Sequence, residues 1–130
     1  MKETTLFTHS AGIHSEGVEI TITYGDEGVT LSLKGRLNIE SSPLLRDRLL
    51  ALLRDLPVKK VIIDLRKISY IDSSGVATLI EALKIARHRS VRFHLKGLEG
   101  RLLHLFEVTG LVALFDINGP ASPASVSEVP

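Results

Sequence analysis

Between residues 61 and 89, a strand-like apolar run is followed almost at once by a helix-like one. The first run is rich in β-branched residues: Val61, Ile62, Ile63, Leu65, Ile68 and Ile71. The second recurs with helical spacing: Val76, Leu79, Ile80, Leu83 and Ala86. Only a short polar junction, Asp72-Ser73-Ser74-Gly75, separates the two runs. The pattern predicts a buried strand that leads directly into a helix, with two serine hydroxyls at the helix start.

The start of that helix is suited to hold negative charge. The first backbone N–H groups of a helix have no intrahelical acceptor, and the helix dipole is positive at this end. A phosphoserine in the junction would therefore be well tolerated. Asp72 stands where an N-cap acceptor is needed, so a structural role for it weighs about equally with a functional one.

Composition limits the classes of function. At 130 residues and 44% hydrophobic content, the chain has the size of one globular domain. Its net charge of +1, from 16 basic and 15 acidic residues, gives no reason to expect direct binding to nucleic acid or to a membrane. The absence of cysteine excludes disulfides, thiolate metal sites and thiol catalysis.

Neither a metal site nor a cofactor site is predicted. The five histidines are scattered, without a spacing suited to metal ligation. No signal-peptide core is present, and no stretch reaches the roughly 20 apolar residues that a membrane span needs. We therefore expect a cytoplasmic protein.

The chain divides into one domain and two tails. Residues 1–17 are polar with little apolar periodicity, and we expect a mobile N-terminal tail. Residues 118–130 are rich in proline and serine, which predicts a disordered C-terminal tail. Residues 18–117 then form the folded domain.

Alternating patterns predict the elements of this domain. A hairpin of strands 18–24 and 29–33 turns at Gly25-Asp26-Glu27-Gly28, and Gly35-Arg36-Leu37-Asn38 leaves the second strand. A leucine-striped helix then opens at Ser41-Ser42-Pro43 and stops at Pro57. The remaining elements are a strand at 60–65, the helix from the junction to about residue 89, a strand at 91–95, a helix at 101–109 ended by Gly110, and a short strand at 111–117.

Strands that alternate with helices pair in parallel through right-handed crossovers. The prediction is therefore an α/β fold: a mixed sheet of about five strands with helices packed on it, antiparallel only in the first hairpin. Open sheets of this kind bind their ligands beyond the carboxyl ends of the strands. The junction at Asp72 lies just beyond such an end.

Several segments resemble the signature of the STAS domain family, in particular the bacterial anti-sigma factor antagonists. They are Val61-Ile62-Ile63-Asp64-Leu65, Ile71-Asp72-Ser73-Ser74-Gly75-Val76, Gly35-Arg36-Leu37-Asn38 and Leu105-Phe106-Glu107-Val108-Thr109-Gly110-Leu111. The resemblance covers about residues 18–117. Each motif is weak alone, and the order and spacing make the set fairly specific.

The resemblance implies a phosphorylation-switched protein-binding module. In the family, the unphosphorylated form binds an anti-sigma factor and thereby frees a sigma factor. The anti-sigma factor carries a histidine-kinase-like serine kinase domain that phosphorylates and inactivates the antagonist, and a PP2C-type metal-dependent serine phosphatase resets the cycle. The target is the second serine of the motif, Ser74. Partner contact is then expected at Asp72, Ser73, Ser74, Gly75 and Asn38.

Local physics leaves other interpretations of these residues open. Ser73 and Ser74 both suit a capping hydroxyl, and only the family resemblance favours Ser74 over Ser73 as the phosphoacceptor. Gly75 gives room for close approach, either by the sheet or, as we slightly prefer, by a partner. Asn38 is a turn residue by default, although related antagonists often carry an acidic residue there on a loop that contributes to partner contact.

Other classes of function are less well supported. No enzyme is predicted, because Ile71 and Asp72 stand where a nucleophile elbow needs glycine two residues before its serine. Neither of the usual glycine-rich nucleotide-binding motifs is present. The main alternative is a non-phosphorylated STAS scaffold subunit of a lipid-transport ATPase or of a stressosome-type complex. Lipid-transport relatives tend to have a Thr-Gly-Gly type junction, so Ser73-Ser74-Gly75 favours the antagonist.

Overall fold

Five strands form one mixed sheet in the order β1-β2-β3-β4-β5. The coordinates are a computed structural model that describes residues 17–26, 28–55 and 57–117. β1 and β2 pair antiparallel, and all later neighbours pair in parallel, as predicted. The elements are β1 (Val18–Tyr24), β2 (Gly28–Leu37), α1 (Ser42–Asp55), β3 (Lys60–Ile71), α2 (Ser73–His88), β4 (Arg92–Lys96), α3 (Gly100–Val108) and β5 (Asp116–Ile117). The predicted tails lie outside the described residues, except for Gly17.

The core lies on one face of the sheet. Successive crossovers step to the next strand in one direction, and right-handed crossovers then put α1 and α2 on the same side. The strand residues on that side are buried: Val18, Ile20, Ile22, Val29, Leu31, Leu33, Val61, Ile63 and Leu65. The leucine stripe of α1 faces them with Leu45, Leu49, Leu52 and Leu53 buried and Leu44 half-buried, whereas Leu56 is not among the described residues. We call the opposite side of the sheet the open face.

β2 and β3 both run farther than the sequence predicts. Their pairing continues to Leu37 and Ile71, so the predicted ends at residues 33 and 65 are wrong. Two register shifts, between Ser32/Lys34 and Gly35/Arg36, break the period-two alternation and hide the continuation. The extension delivers the chain at Asn38 and at Asp72 to the same edge of the sheet.

The predicted last strand is also shorter than expected. Leu111–Ala113 forms a 3₁₀ turn, and only Asp116–Ile117 pairs with β4. Leu111 and Leu114, three residues apart, are half-buried against the core, and the three-residue turn of a 3₁₀ helix places both on one side. Gly110 has the positive φ, 80°, expected of a residue that ends a helix.

Candidate functional site

The helices α1 and α2 begin side by side at the carboxyl edge of β2 and β3. The Asp72 N–H donates to the Leu37 carbonyl at 3.1 Å, which joins the two strand ends. Gly75 is buried against them: a Cβ there would lie 2.7 Å from Ile71 Cγ1 and 2.9 Å from the Leu37 carbonyl oxygen. The close approach that Gly75 permits is therefore to the sheet, and our preference for an approach by a partner is not supported at this residue.

Asp72 caps α2, as its position in the sequence predicts. Its Oδ1 accepts from the backbone N–H of Ser74 at 2.9 Å and of Gly75 at 3.2 Å. The same oxygen accepts a short 2.6 Å hydrogen bond from the Ser74 hydroxyl. One carboxylate oxygen thus holds both the helix start and the predicted phosphoacceptor.

The other Asp72 oxygen joins this helix start to the loop before α1. Oδ2 accepts from the Ile39 N–H at 3.2 Å. The Ser74 hydroxyl, followed by the backbone N–H groups of Gly75, Ser74 and Ile39, lowers the pKa of Asp72 against the opposing effect of desolvation. Asp72 is therefore a carboxylate at neutral pH, and its charge is shared among four donors.

The two serines of the junction differ in their surroundings. Ser74 is half-buried, and its Oγ lies 3.3 Å from Oγ of Ser42, the buried first residue of α1. Ser73 is exposed, and its hydroxyl makes no hydrogen bond within the described part of the chain. The expectation that Ser73 supplies a second capping hydroxyl is therefore wrong, and Ser74 is the hydroxyl bound to the cap.

Asn38 organises the loop in which it lies. Its Oδ1 accepts from the N–H groups of Glu40 at 3.0 Å and Ser41 at 3.1 Å. The buried Ser41 hydroxyl in turn donates to the Arg36 carbonyl at 2.8 Å and accepts from the Asn38 N–H at 3.0 Å. Asn38 is a turn residue, as its default interpretation predicts, and it reaches Asp72 only through its neighbour Ile39.

Apolar surface surrounds this polar centre, a feature that sequence reasoning missed. A groove of about 450 Å³ runs between the start of α2 and the end of α3, and it is lined by Ile71, Asp72, Ser73, Val76, Leu105, Thr109 and Leu111. Three large hydrophobic side chains that are exposed among the described residues belong to segments beside it: Ile39 at 71%, Val108 at 64% and Val112 at 37%. The fourth, Tyr70 at 41%, precedes the buried Ile71 on β3 and faces the other side of the sheet. The pattern of α3 predicts a helix that packs on the core and does not reveal that Val108 faces solvent.

The remaining chemistry of the described residues is limited. Residues 17–26, 28–55 and 57–117 contain no group of three side chains that could hold a metal ion. No helix in these ranges has the length and apolar character needed to cross a bilayer. The expected cytoplasmic location remains a prediction.

Comparison with known proteins identifies the family. A family model described as "Mlab, STAS domain" matches residues 20–116. The chain belongs to the STAS domain family. The match confirms the resemblance seen in the motifs at Gly35, Ile71 and Leu105, and it extends over nearly all of the described residues.

Relatives within this family are named as antagonists of anti-sigma factors. The anti-sigma-B factor antagonist of Bacillus subtilis is 25% identical over 101 residues, which cover 78% of this chain and 91% of that protein. The crystal structure of an anti-sigma factor antagonist from Mycobacterium paratuberculosis has a TM-score of 0.72 at 17% identity, covering 82% of this chain and 90% of that one. SpoIIAA of Bacillus in its phosphorylated form gives 0.62 at 19% identity, covering 82% and 94%. These two structures show that the fold is shared.

Proposed function

We propose that this STAS protein is an anti-sigma factor antagonist, switched by phosphorylation of Ser74. The observation that carries the proposal is the hydrogen bond between Ser74 and the capping carboxylate of Asp72, at the rim of an apolar groove. Curated relatives named anti-sigma-B factor antagonists support the same function. STAS domains of this kind are protein-binding modules, so the proposal includes no catalysis by this chain.

The surface around Ser74 suits contact with another protein. Exposed Ile39, Val108 and Val112 and the groove between α2 and α3 offer apolar area of the kind that protein interfaces bury. Within this area the unphosphorylated Ser74 is a small, neutral group whose hydroxyl already has an acceptor in Asp72. A partner can therefore cover it without leaving a polar group unsatisfied.

Phosphorylation would change this surface without unfolding the domain. A phosphate adds about −1.5 to −2 charges at neutral pH and lies beside the Asp72 carboxylate. Asp72 still accepts from the backbone N–H groups of Ser74 and Gly75, so α2 keeps its cap. A partner would have to desolvate the added dianion next to apolar contacts, which is costly without a matching positive group.

The choice between the two serines rests on geometry as well as on family resemblance. Exposure alone favours Ser73, because Ser74 is half-buried. Only Ser74 has its hydroxyl oriented by a charged acceptor, at 2.6 Å. A kinase that reaches Ser74 therefore meets a hydroxyl held in a fixed direction, and we assign the phosphate to it.

The proposed cycle needs two partner proteins. The first is an anti-sigma factor with a histidine-kinase-like serine kinase domain, which binds the unphosphorylated surface formed by Asn38, Asp72, Ser73 and Ser74. Gly75 is buried beneath this surface, where it packs against Leu37 and Ile71. The second is a PP2C-type serine phosphatase that removes the phosphate and restores binding.

The test is phosphorylation of the purified full chain by candidate anti-sigma factor kinases from the same organism. The kinase, ATP and Mg²⁺ are incubated with wild type, Ser74→Ala and Ser73→Ala, and the site is read by peptide mass spectrometry. We expect one phosphate on Ser74 in wild type and Ser73→Ala, and none in Ser74→Ala. Phosphate on Ser73 would contradict the assignment. Stable binding of a candidate without phosphate transfer would favour a scaffold role instead.

A further inference from the structure

A second surface lies on the open face of the sheet, outside the site at Ser74. The register shift in β2 and β3 makes Lys34 and Lys67 direct neighbours across the two strands. One pair farther along, beyond Gly35 and Ile68, Arg36 lies opposite Tyr70, with the Arg36 guanidinium 4.4 Å from the centre of the Tyr70 ring. Lys34, Arg36, Lys67 and Tyr70 are all exposed, and we call these four residues the basic strip.

The two neighbouring lysines of the basic strip are expected to lower the stability of the folded domain. Neighbouring strands lie about 4.8 Å apart, so the stems of Lys34 and Lys67 leave the sheet side by side. Like charges opposite each other across strands are destabilising. Within the described residues, neither lysine forms an ion pair, although Glu19 lies opposite Lys34 on β1. The ion pairs of the described residues therefore do not explain why both cations stand here.

Four arginines elsewhere in the described residues have evident structural roles. Arg66 forms a 2.7 Å ion pair with the nearly buried Asp64, and Arg46 forms a bidentate pair with Glu81 between α1 and α2. Arg87 and Arg89, at the end of α2, donate to the carbonyl oxygens of Leu114 and Arg54. Cations near a helix C-terminus are also stabilising. Among residues 17–26, 28–55 and 57–117, neither Lys34 nor Lys67 forms an ion pair of this kind.

We propose that the basic strip binds an acidic segment of a partner protein. Two adjacent ammonium groups and a guanidinium supported by an aromatic ring match a short run of carboxylates. The net charge of +1 provides no strong general attraction for nucleic acid, and three cations make few of the phosphate contacts on which such binding depends. The surface is independent of Ser74, because it lies on the open face and contains none of the residues around the groove.

The test uses a probe that does not depend on any kinase. The ¹⁵N-labelled full chain is titrated with a hexaglutamate peptide at low salt, with hexaglutamine as the neutral control, and amide chemical shifts are mapped. We expect the largest shifts at Lys34, Arg36, Lys67 and Tyr70. The double variant Lys34→Gln/Lys67→Gln should lower the affinity by about tenfold, as the loss of two exposed charge contacts allows. A matched double variant of exposed cations elsewhere, Lys84→Gln/Arg101→Gln, should bind as wild type does.

Three outcomes would overturn the proposal. They are shifts centred on Arg87 to Arg92, no saturable shifts at all, or equal affinity for both double variants. A short DNA duplex is titrated in parallel. Tighter binding of the duplex at the same amides would replace the acidic protein segment with nucleic acid as the ligand. None of these results bears on phosphorylation of Ser74, so the two proposals fail separately.

Discussion

The Ser74 hydroxyl donates a 2.6 Å hydrogen bond to the Asp72 carboxylate, the group that also caps α2 and holds the Ile39 N–H. The proposed phosphoacceptor, the helix start and the loop before α1 thus share one anion. Phosphorylation of Ser74 would replace the hydroxyl donor with a dianion at this point. The change in charge is confined to the junction, which explains how such a switch can alter binding while the core stays packed.

The ionisation of Asp72 should report the Ser74 contact directly. Because the Ser74 hydroxyl is the largest cause of the lowered Asp72 pKa, Ser74→Ala should raise that pKa towards the ordinary value of 3.8. Ser73→Ala should leave it unchanged, since the Ser73 hydroxyl does not touch the carboxylate. Titration of the Asp72 carboxyl carbon by NMR measures both. Equal Asp72 pKa values in wild type and Ser74→Ala would show that the hydrogen bond does not stabilise the charged form.

Acid should destabilise the fold in part through Asp72. Its folded-state pKa is lowered, so its stabilising contribution is present above the unfolded pKa and is lost as the pH falls through the folded pKa. Wild type should therefore lose more stability than Asp72→Asn between neutral pH and about pH 3. Asparagine is a suitable control because it still accepts as an N-cap but carries no charge. Urea midpoints at the two pH values give the comparison, and identical losses in both proteins would contradict this role.

Local signals in the sequence were sufficient to predict the capping role of Asp72, but not the contacts of the residues around it. An aspartate directly before a helical apolar stripe predicts the cap from adjacent residues alone. The contact between Ser42 and Ser74 joins positions 32 apart in the chain, and no local pattern indicates it. The exposure of Val108 likewise depends on how α3 packs, which periodicity cannot determine.

The alternating elements and the parallel sheet were also predictable, because period-two and helical spacings are strong in most of the domain. The length of β3 was not. Where its register shifts occur, exposed Arg66 and Lys67 separate buried Leu65 from Ile68, and exposed Ser69 and Tyr70 separate Ile68 from Ile71, so that the local sequence resembles a loop. The role of Gly75 could be decided only once Leu37 was known to lie against it.

Gly75 should not tolerate even a methyl group. An alanine Cβ would lie 2.7 Å from Ile71 Cγ1 and 2.9 Å from a backbone oxygen that cannot easily move. Overpacking of this kind costs about 1–3 kcal/mol, so Gly75→Ala should lower the free energy of unfolding by that amount. Gly25→Ala is the matched control, because its nearest contact would be an ordinary 3.7 Å. Equal urea midpoints for the two variants would contradict the close packing at the start of α2.

The like-charge pair in the basic strip should be measurable as a stability deficit. Lys67→Glu converts the repulsion with Lys34 into attraction and should stabilise the domain by about 0.2–1 kcal/mol at low salt. The double variant Lys34→Glu/Lys67→Glu restores a like-charge pair and also adds a negative charge opposite Glu19, so the gain should disappear. Urea unfolding of the four proteins in this double-mutant cycle gives the coupling between the two positions. A coupling energy of zero would show that the side chains avoid each other.

Affinity for the anti-sigma factor kinase before and after modification tests the central proposal most directly. Calorimetric titration compares the unphosphorylated chain, the chain phosphorylated on Ser74, Ser74→Ala and Ser74→Asp, with circular dichroism to verify that each is folded. The proposed switch predicts that wild type and Ser74→Ala bind, and that the phosphorylated chain and Ser74→Asp bind weakly although folded. Equal affinity for the phosphorylated and unphosphorylated chains would contradict it.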